Sequence, residues 1–273
     1  MVRCLSDSPP RCPNSRRCIV TSPRRSKVFH CLGQRNPERI GLLLIVAASL
    51  HLGAPVCAAT PAETATVKEI LDGNELFIDA RQARLNQQAV SPQEISTENS
   101  RGQLSFASGA AGRLNRYSQL RLGSGCFLLR KGEVLVSGRQ SGCTRSSRLS
   151  VRGTNYVLRV DDEGGSELTV LEGSVEVEPL TEGGEPSGQP STTVNGGERL
   201  RLSAAGVVLT LLKLSSGDYS AILEGPLFLG FTAPLPAIGS LESYLRSRLP
   251  GVSLPSLPGG SPLIPLLNLP RFF

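Results

Sequence analysis

The chain has 273 residues, with 29 Lys and Arg against 23 Asp and Glu, two His, seven Cys and no Trp. The basic excess lies entirely in residues 1–58, which carry nine basic and two acidic side chains, both His and five of the Cys. Residues 59–273 carry 20 basic and 21 acidic side chains and have no His, Met or Trp. This larger part therefore lacks the imidazole of a Ser–His or Cys–His nucleophile or of a histidine metal site, and its balanced charge argues against a nucleic-acid partner. We expect no enzymatic activity, no metal and no cofactor.

The first recognisable element is an apolar run from Ile40 to Leu52, which follows Arg35 and Arg39 and precedes the small residues of Gly53–Ala59. A basic region, a short apolar core and small residues at the end are typical of a secretory signal. The best cleavage position is between Ala58 and Ala59, and the second best follows Ala59. The alternative is a membrane anchor, but the run is shorter than the roughly 20 residues that a spanning helix needs.

We therefore predict that residues 1–58 are an export leader and that the mature protein is periplasmic or secreted, in a bacterial cell envelope. Residues 1–27 show no apolar periodicity, and we interpret them as an extension from an overcalled start codon. Once the leader is removed, no membrane span is expected.

From Thr64 to Leu214, short β-type runs alternate with Gly, Asn, Asp and Ser, a pattern that predicts an all-β sandwich or short solenoid of about ten strands. Only Thr66–Leu71 and Asp79–Gln88 show a weak helical pattern. The predicted strands, in chain order, are Glu75–Ile78, Gln103–Ala107, Gln119–Leu122, Cys126–Leu129, Glu133–Ser137, Arg148–Val151, Asn155–Val160, Glu167–Leu171, Ser174–Glu178, Arg199–Leu202 and Val207–Leu214.

Two segments of this region are alike. Leu129–Val136 aligns with Val170–Val177, and each places a Gly between two β-type runs. Because Gly adopts the positive φ of a tight turn, we predict two hairpins, which turn at Gly132 and Gly173. Chance similarity is the alternative, since Gly-x-Val-x-Val is a common strand pattern. Asp161–Gly165 lacks the alternating ligands of a calcium loop and is interpreted as a solvated hairpin turn.

Cys126 and Cys143 are the only thiols beyond the leader. In an oxidising compartment, an even pair predicts a disulfide. The alternative is a pair of free redox-active thiols, which the lack of a C-x-x-C spacing disfavours.

The region also resembles the periplasmic FecR domain, over roughly Thr66 to Leu212. The resemblance is carried by Gln119–Leu122, Lys131–Val134, Val151–Val157, Val170–Val177 and Gly196–Leu200. It implies a FecR-like β domain over residues 65–214. The motif residues are interpreted as structural, with a bulge or close backbone approach at Gly153 and a turn at Gly173. They are Gly132, Gly153, Thr154, Gly173, Val175, Gly197 and Glu198.

The resemblance implies a signal relay of the kind this family carries out. There, an outer-membrane receptor loaded with an iron chelate contacts the periplasmic domain, and the signal passes to a cytoplasmic anti-sigma segment. Only 39 residues precede the apolar run here, and they are rich in Pro and Arg. We therefore expect the domain and its compartment to be shared with the family, but not the anti-sigma activity.

Residues 215–273 form a Pro- and Leu-rich extension, with nine Pro and twelve Leu between Pro226 and Phe273. The pattern predicts one short helix near Ser240–Leu249, with Ser240 as its cap and Leu241, Leu245 and Leu249 on one face. The extension either docks on a partner or packs back on the β domain.

The leading hypothesis is a non-enzymatic module that binds an envelope protein or receptor. The alternative is a module that binds envelope or cell-wall polysaccharide or has a structural role at the surface. The scarcity of aromatic residues disfavours sugar binding. A carboxylate-based hydrolase is also disfavoured, because no compact acidic motif is present.

Overall fold

The structure is a computed structural model that describes residues 62–255. The predicted leader, with its cleavage position at Ala58 and Ala59, and the residues after Pro255 lie outside the described residues. The described part contains fifteen strands and two helices: β1 (Thr64–Leu71), β2 (Leu76–Ile78), β3 (Arg81–Gln82), β4 (Gln88–Val90), β5 (Glu94–Thr97), β6 (Arg101–Phe106), β7 (Ala111–Leu114), β8 (Gln119–Leu122), β9 (Phe127–Gly138), β10 (Gly142–Cys143), β11 (Ser147–Val160), β12 (Ser166–Pro179), β13 (Thr192–Asn195), β14 (Glu198–Leu202), β15 (Val208–Lys213), α1 (Ser216–Leu223) and α2 (Ile238–Arg248).

The strands form one mixed sheet that folds over itself like a sandwich without closing into a barrel, so the all-β prediction is confirmed. The main strand order is β15-β14-β12-β11-β10-β9-β7-β6-β1-β4. All pairings are antiparallel except that of β9 with β10. The long strands β9, β11 and β12 change partners along their length. For example, β9 pairs with β8 up to Lys131 and with β11 from Gly132 onward.

The predicted hairpin turns at Gly132 and Gly173 are wrong. Gly132 lies within β9 and Gly173 within β12, and each strand continues past its glycine. The two φ angles are positive, 87° and 86°, so each glycine bends its strand where the strand changes partners. The bulge expected at Gly153 is present, because the register of β11 against β12 shifts between Arg152 and Asn155.

Hairpin turns with glycine occur elsewhere. The Asp161–Gly165 turn joins β11 to β12 as predicted, with the Asp161 amide donating to the Gly165 carbonyl at 3.0 Å. Gly109 and Gly206, both with positive φ, lie in the turns that follow β6 and β14. These turns, rather than the bends in β9 and β12, reverse the chain.

The two weak helical expectations are also wrong. Thr66–Leu71 belongs to β1, where Ala65 and Val67 point into the core in strand alternation. Asp79–Gln88 contains the two-residue strand β3 and turns, and it ends at the first residue of β4. Pairing to neighbouring strands decides both segments, since their own helical pattern is weak.

Two hydrophobic cores hold the fold together. The first lies between the folded halves of the sheet and consists mainly of aliphatic side chains, with Phe106 stacked on Phe127 at a ring-centroid distance of 5.7 Å. The second lies on the outer face of the sheet, where Leu135 and Leu171 pack under Leu223 of α1 and Leu241 of α2. The described part of the Pro- and Leu-rich extension therefore packs on its own β domain.

The second helix lies close to its predicted position, over Ile238–Arg248, with Leu241 and Leu245 buried. Its N-cap is Ala237 and not Ser240, whose hydroxyl donates to the Ala237 carbonyl at 2.9 Å. The first helix was not predicted, although Ser215 and Asp218 form a capping box at its start.

Candidate interaction groove

The predicted disulfide is confirmed: Cys126 and Cys143 are bonded with an S–S distance of 2.04 Å. Cys126 directly precedes β9, and Cys143 ends β10, which pairs in parallel with the start of β9. The bond therefore closes the excursion that leaves β9 and returns beside its first residues.

An open groove of about 990 Å³ borders this disulfide. Its walls come from several loops and strand ends that are far apart in sequence. The residues that line it are Ser91, Pro92, Gln119, Arg121, Leu122, Gly123, Cys126, Leu128, Leu129, Arg130, Cys143, Thr144, Arg145, Arg148, Val160, Asp161, Asp162, Glu163, Gly164, Leu180, Glu182, Gly183 and Gly184.

Four arginines line the groove. Arg130 and Arg148 pair with carboxylates outside it, Glu94 at 3.0 Å and Glu178 at 3.3 Å. Arg121 donates to the Pro92 carbonyl at 3.1 Å, and Arg145 is exposed and makes no ion pair with any described residue. At least Arg121 and Arg145 therefore keep donors for an incoming acidic group.

Four acidic residues line the same groove: Asp161, Asp162 and Glu163 of the β11–β12 turn, together with Glu182. Asp162 pairs with Lys131 at 2.6 Å, and Asp161 accepts the Gly165 amide at 2.7 Å. The groove thus offers charges of both signs, and none of its lining residues is aromatic.

The motif residues that the sequence singled out do not line this groove. Gly153, Thr154 and Gly173 meet where β11 and β12 bend together. A Cβ on Gly173 would lie 2.4 Å from the Thr154 methyl carbon and 2.6 Å from the Gly153 carbonyl oxygen. Val175 is buried in the first core. Their role is to allow two strands to bend at close range.

Gly197 and Glu198 lie at the turn between β13 and β14. The Gly197 amide donates to the Val170 carbonyl at 2.8 Å, and the Glu198 carboxylate accepts the Asn195 amide at 2.8 Å. Two tyrosines of the helices cover this turn: Tyr244 donates to the Gly196 carbonyl at 2.9 Å, and Tyr219 donates to the Leu171 carbonyl at 2.8 Å. Gly197 and Glu198 are thus placed where the β domain meets the C-terminal helices.

Sequence reasoning missed a buried arginine that holds the segment between the two helices. Arg113 of β7 is 1% exposed, and its guanidinium lies 4.4 Å from the centre of the Phe231 ring. It donates to the Leu227 carbonyl at 3.1 Å and to the Ala233 carbonyl at 2.9 Å. Burial lowers the pKa of Arg113 to about 10, against the opposing effect of the Glu69 carboxylate.

The side chain of Glu69 in β1 holds the same segment by binding backbone amides of that segment. Its carboxylate accepts the amides of Thr232 and Ala233, each at 2.9 Å. Burial raises the pKa of Glu69, but these hydrogen bonds and the charge of Arg113 outweigh it, so the net pKa is below its usual value. Neither contact could be predicted from the sequence around Glu69 or Arg113, because the partners lie more than 100 residues further along the chain.

Within residues 62–255, no cluster of three or more His, Cys, Asp or Glu side chains is arranged to hold a metal ion. None of the helices in that range is long and apolar enough to cross a membrane.

No family model matches the chain. A search of curated proteins also finds no match. Two crystal structures of a protein described as a "putative anti-sigma factor" from Parabacteroides distasonis ATCC 8503, at 1.65 and 2.50 Å resolution, are similar to it. They share 18% and 17% sequence identity with it over 56% of this chain and 73% and 72% of theirs, each with a TM-score of 0.38. A similarity this distant carries no argument about function.

Proposed function

We propose that the chain is a FecR-like β module of the bacterial envelope that binds another protein and has no enzymatic activity. The groove beside the disulfide is the observation that carries this proposal. Its volume is at the upper end of the range for small-molecule sites.

The groove chemistry favours a polypeptide occupant. Arg121 and Arg145 offer donors to carboxylates, whereas Glu163 and Glu182 offer acceptors to basic side chains. Complementary charges of this kind select one partner over others and set the docking register. Sugar sites generally use aromatic platforms, and no aromatic side chain lines this groove, so polysaccharide binding is the weaker alternative.

The envelope location rests on the sequence and is supported by one structural feature. The export leader predicted at residues 1–58 directs the chain to an oxidising compartment, and a disulfide joins Cys126 to Cys143. The resemblance to the FecR domain favours a partner among envelope receptors or regulators.

Photo-crosslinking in the native envelope tests the proposal. A benzoylphenylalanine at position 145 lies in the groove, and one at the exposed position 84 is the matched control. We expect a discrete protein adduct from position 145 alone, and its loss when Arg121→Glu is added. Equal labelling from both positions, or none from either, would contradict the proposal. A saturable thermal shift with purified envelope polysaccharide, abolished by Arg121→Glu, would favour the sugar-binding alternative.

A further inference from the structure

Within residues 62–255, the last strand of the sheet has one edge without a strand partner. Among the described residues, β15 pairs only with β14, so the N–H and C=O groups along its other side have no strand partner. The apolar side chains of β15 are unusually exposed, Val208 47%, Leu209 61%, Leu211 45% and Leu212 58%, as is the preceding Val207, 60%. An apolar edge strand is a template for pairing with another strand.

The opposite end of the sheet shows how this protein protects an edge. There, β4 has only three residues and is followed by Pro92. The Val90 amide donates to the Gln93 side chain at 2.9 Å, and the Val90 carbonyl accepts the Gln93 amide at 2.9 Å. The β15 strand has no proline, and its one charged residue, Lys213, lies at its end. The bulge at Leu209 is its only irregularity.

The inner face of β15 borders the first core. Leu211 lies opposite Leu200, which is fully buried, and Val208 lies opposite the buried Leu202. The apolar side chains of β15 therefore lie beside buried core residues but are not covered themselves. Another strand with apolar residues on both faces, added beside β15, would cover them.

We propose that the strand that covers this edge is β15 of a second copy of the chain, which pairs antiparallel about a two-fold axis at Leu211. In this register Leu211 faces its own equivalent and Thr210 faces Leu212 of the second copy, and the regular pairing ends at the bulge at Leu209. Directly opposite residues then share a face, as an antiparallel pair requires, and the same patch serves both copies. A single strand that is apolar on both faces is its own complement.

The charges next to the strand permit this pairing. On the outer face, Glu133, Arg159, Glu167 and Arg201 lie opposite one another across β9, β11, β12 and β14. This row ends at the uncharged Thr210 of β15, opposite Arg201. In the dimer, the two Arg201 side chains belong to strands three spacings apart, about 14 Å, which exceeds the screening length of roughly 8 Å at physiological salt. Repulsion between the two Arg201 side chains therefore opposes the pairing only weakly.

Sedimentation velocity on the full chain, over a concentration series, tests the proposal. We expect a monomer–dimer equilibrium that Leu211→Lys weakens at least about tenfold, because it puts two like charges face to face at the axis. Leu85→Lys is the matched control, since Leu85 is 60% exposed but lies away from this edge. It should leave the equilibrium unchanged.

A charge-complementation experiment separates pairing at this edge from general stickiness. Leu211→Lys and Leu211→Glu should each be monomeric alone and should form a heterodimer when mixed. Circular dichroism spectra of both variants serve as the control that each is folded. A wild-type chain that stays monomeric, a dimer that is insensitive to Leu211→Lys, a failure of the mixed variants to associate, or open-ended oligomers instead of a dimer would each overturn the proposal.

Discussion

Gly173→Ala is the sharpest test of how the two long hairpin strands bend. Gly173 has a φ of 86° and lies against β11, so an added methyl group meets backbone atoms. Gly153→Ala is a matched control, because Gly153 also has a positive φ, 57°, but no atom lies within 4 Å of its added Cβ. The two variants therefore share the cost of backbone strain and differ in the cost of crowding.

The magnitude follows from these two terms. A non-glycine residue in the left-handed region costs roughly 1–2 kcal/mol, and both variants carry this cost. Overpacking adds roughly 1–3 kcal/mol, and only Gly173→Ala carries it, since its Cβ would lie 2.4 Å from Thr154 Cγ2 and 2.6 Å from the Gly153 oxygen. For a domain of this size, each kcal/mol lowers Tm by roughly 2–4 °C, so Gly173→Ala should melt roughly 2–12 °C below Gly153→Ala.

Thermal unfolding followed by circular dichroism measures the difference, and urea titration gives the free energy of unfolding for each variant. Equal Tm values for the two variants would refute the reasoning. Such a result would mean that β12 turns away from β11 at Gly173, as the sequence alone predicts, instead of bending beside it.

Three further outcomes follow from the described contacts. Arg113→Met leaves the Leu227 and Ala233 carbonyls without their donor, which costs roughly 1–3 kcal/mol for each carbonyl. The urea midpoint of this variant should therefore fall far more than that of the exposed control Arg116→Met. Equal midpoints would contradict the buried hydrogen bonds of Arg113. Glu69 has a lowered pKa in the fold, so its stabilisation is present above its usual pKa of 4.5 and is lost as the pH falls below it. Tm should therefore fall less below pH 4.5 in Glu69→Gln than in the wild type, and parallel pH profiles would count against the Glu69 contacts. Replacing Cys126 and Cys143 together by Ala opens a loop with a separation of 17 residues, which should cost roughly 3 kcal/mol in urea unfolding; an unchanged free energy would exclude a stabilising disulfide.

Strand positions were largely predictable, whereas the path of the chain between them was not. Val175 and Val177 alternate with polar residues, and both are buried in β12 as that pattern indicates. A glycine with positive φ suits either a hairpin turn or a bend within a strand, and the local sequence is the same in both. What separates the two is pairing with distant strands: β12 pairs with β14 before Gly173 and with β13 after it. A pattern of adjacent residues does not contain that information.

The disulfide was predictable because it depends on counting cysteines and on the compartment. The groove beside it was not, because its lining comes from segments that lie between Ser91 and Gly184. Arg121 and Glu182, for instance, belong to the same surface only after the sheet folds over itself. Their separate positions in the sequence gave no reason to treat them as one site.

The contrast between the two apolar surfaces of the C-terminal part argues for a functional difference between them. The segment between α1 and α2 is rich in Pro and Leu, yet its polar backbone is held by two charged groups, the buried Arg113 and the partly buried Glu69. The cost of burying the Arg113 charge is offset when its donors find partners, so these hydrogen bonds favour one arrangement of the segment on the sheet. Within residues 62–255, β15 has no strand partner along its outer edge, although its leucines are exposed and apolar. Because residues 62–255 cover one apolar surface with specific hydrogen bonds and leave the edge of β15 open, this edge is the one expected to be filled by association.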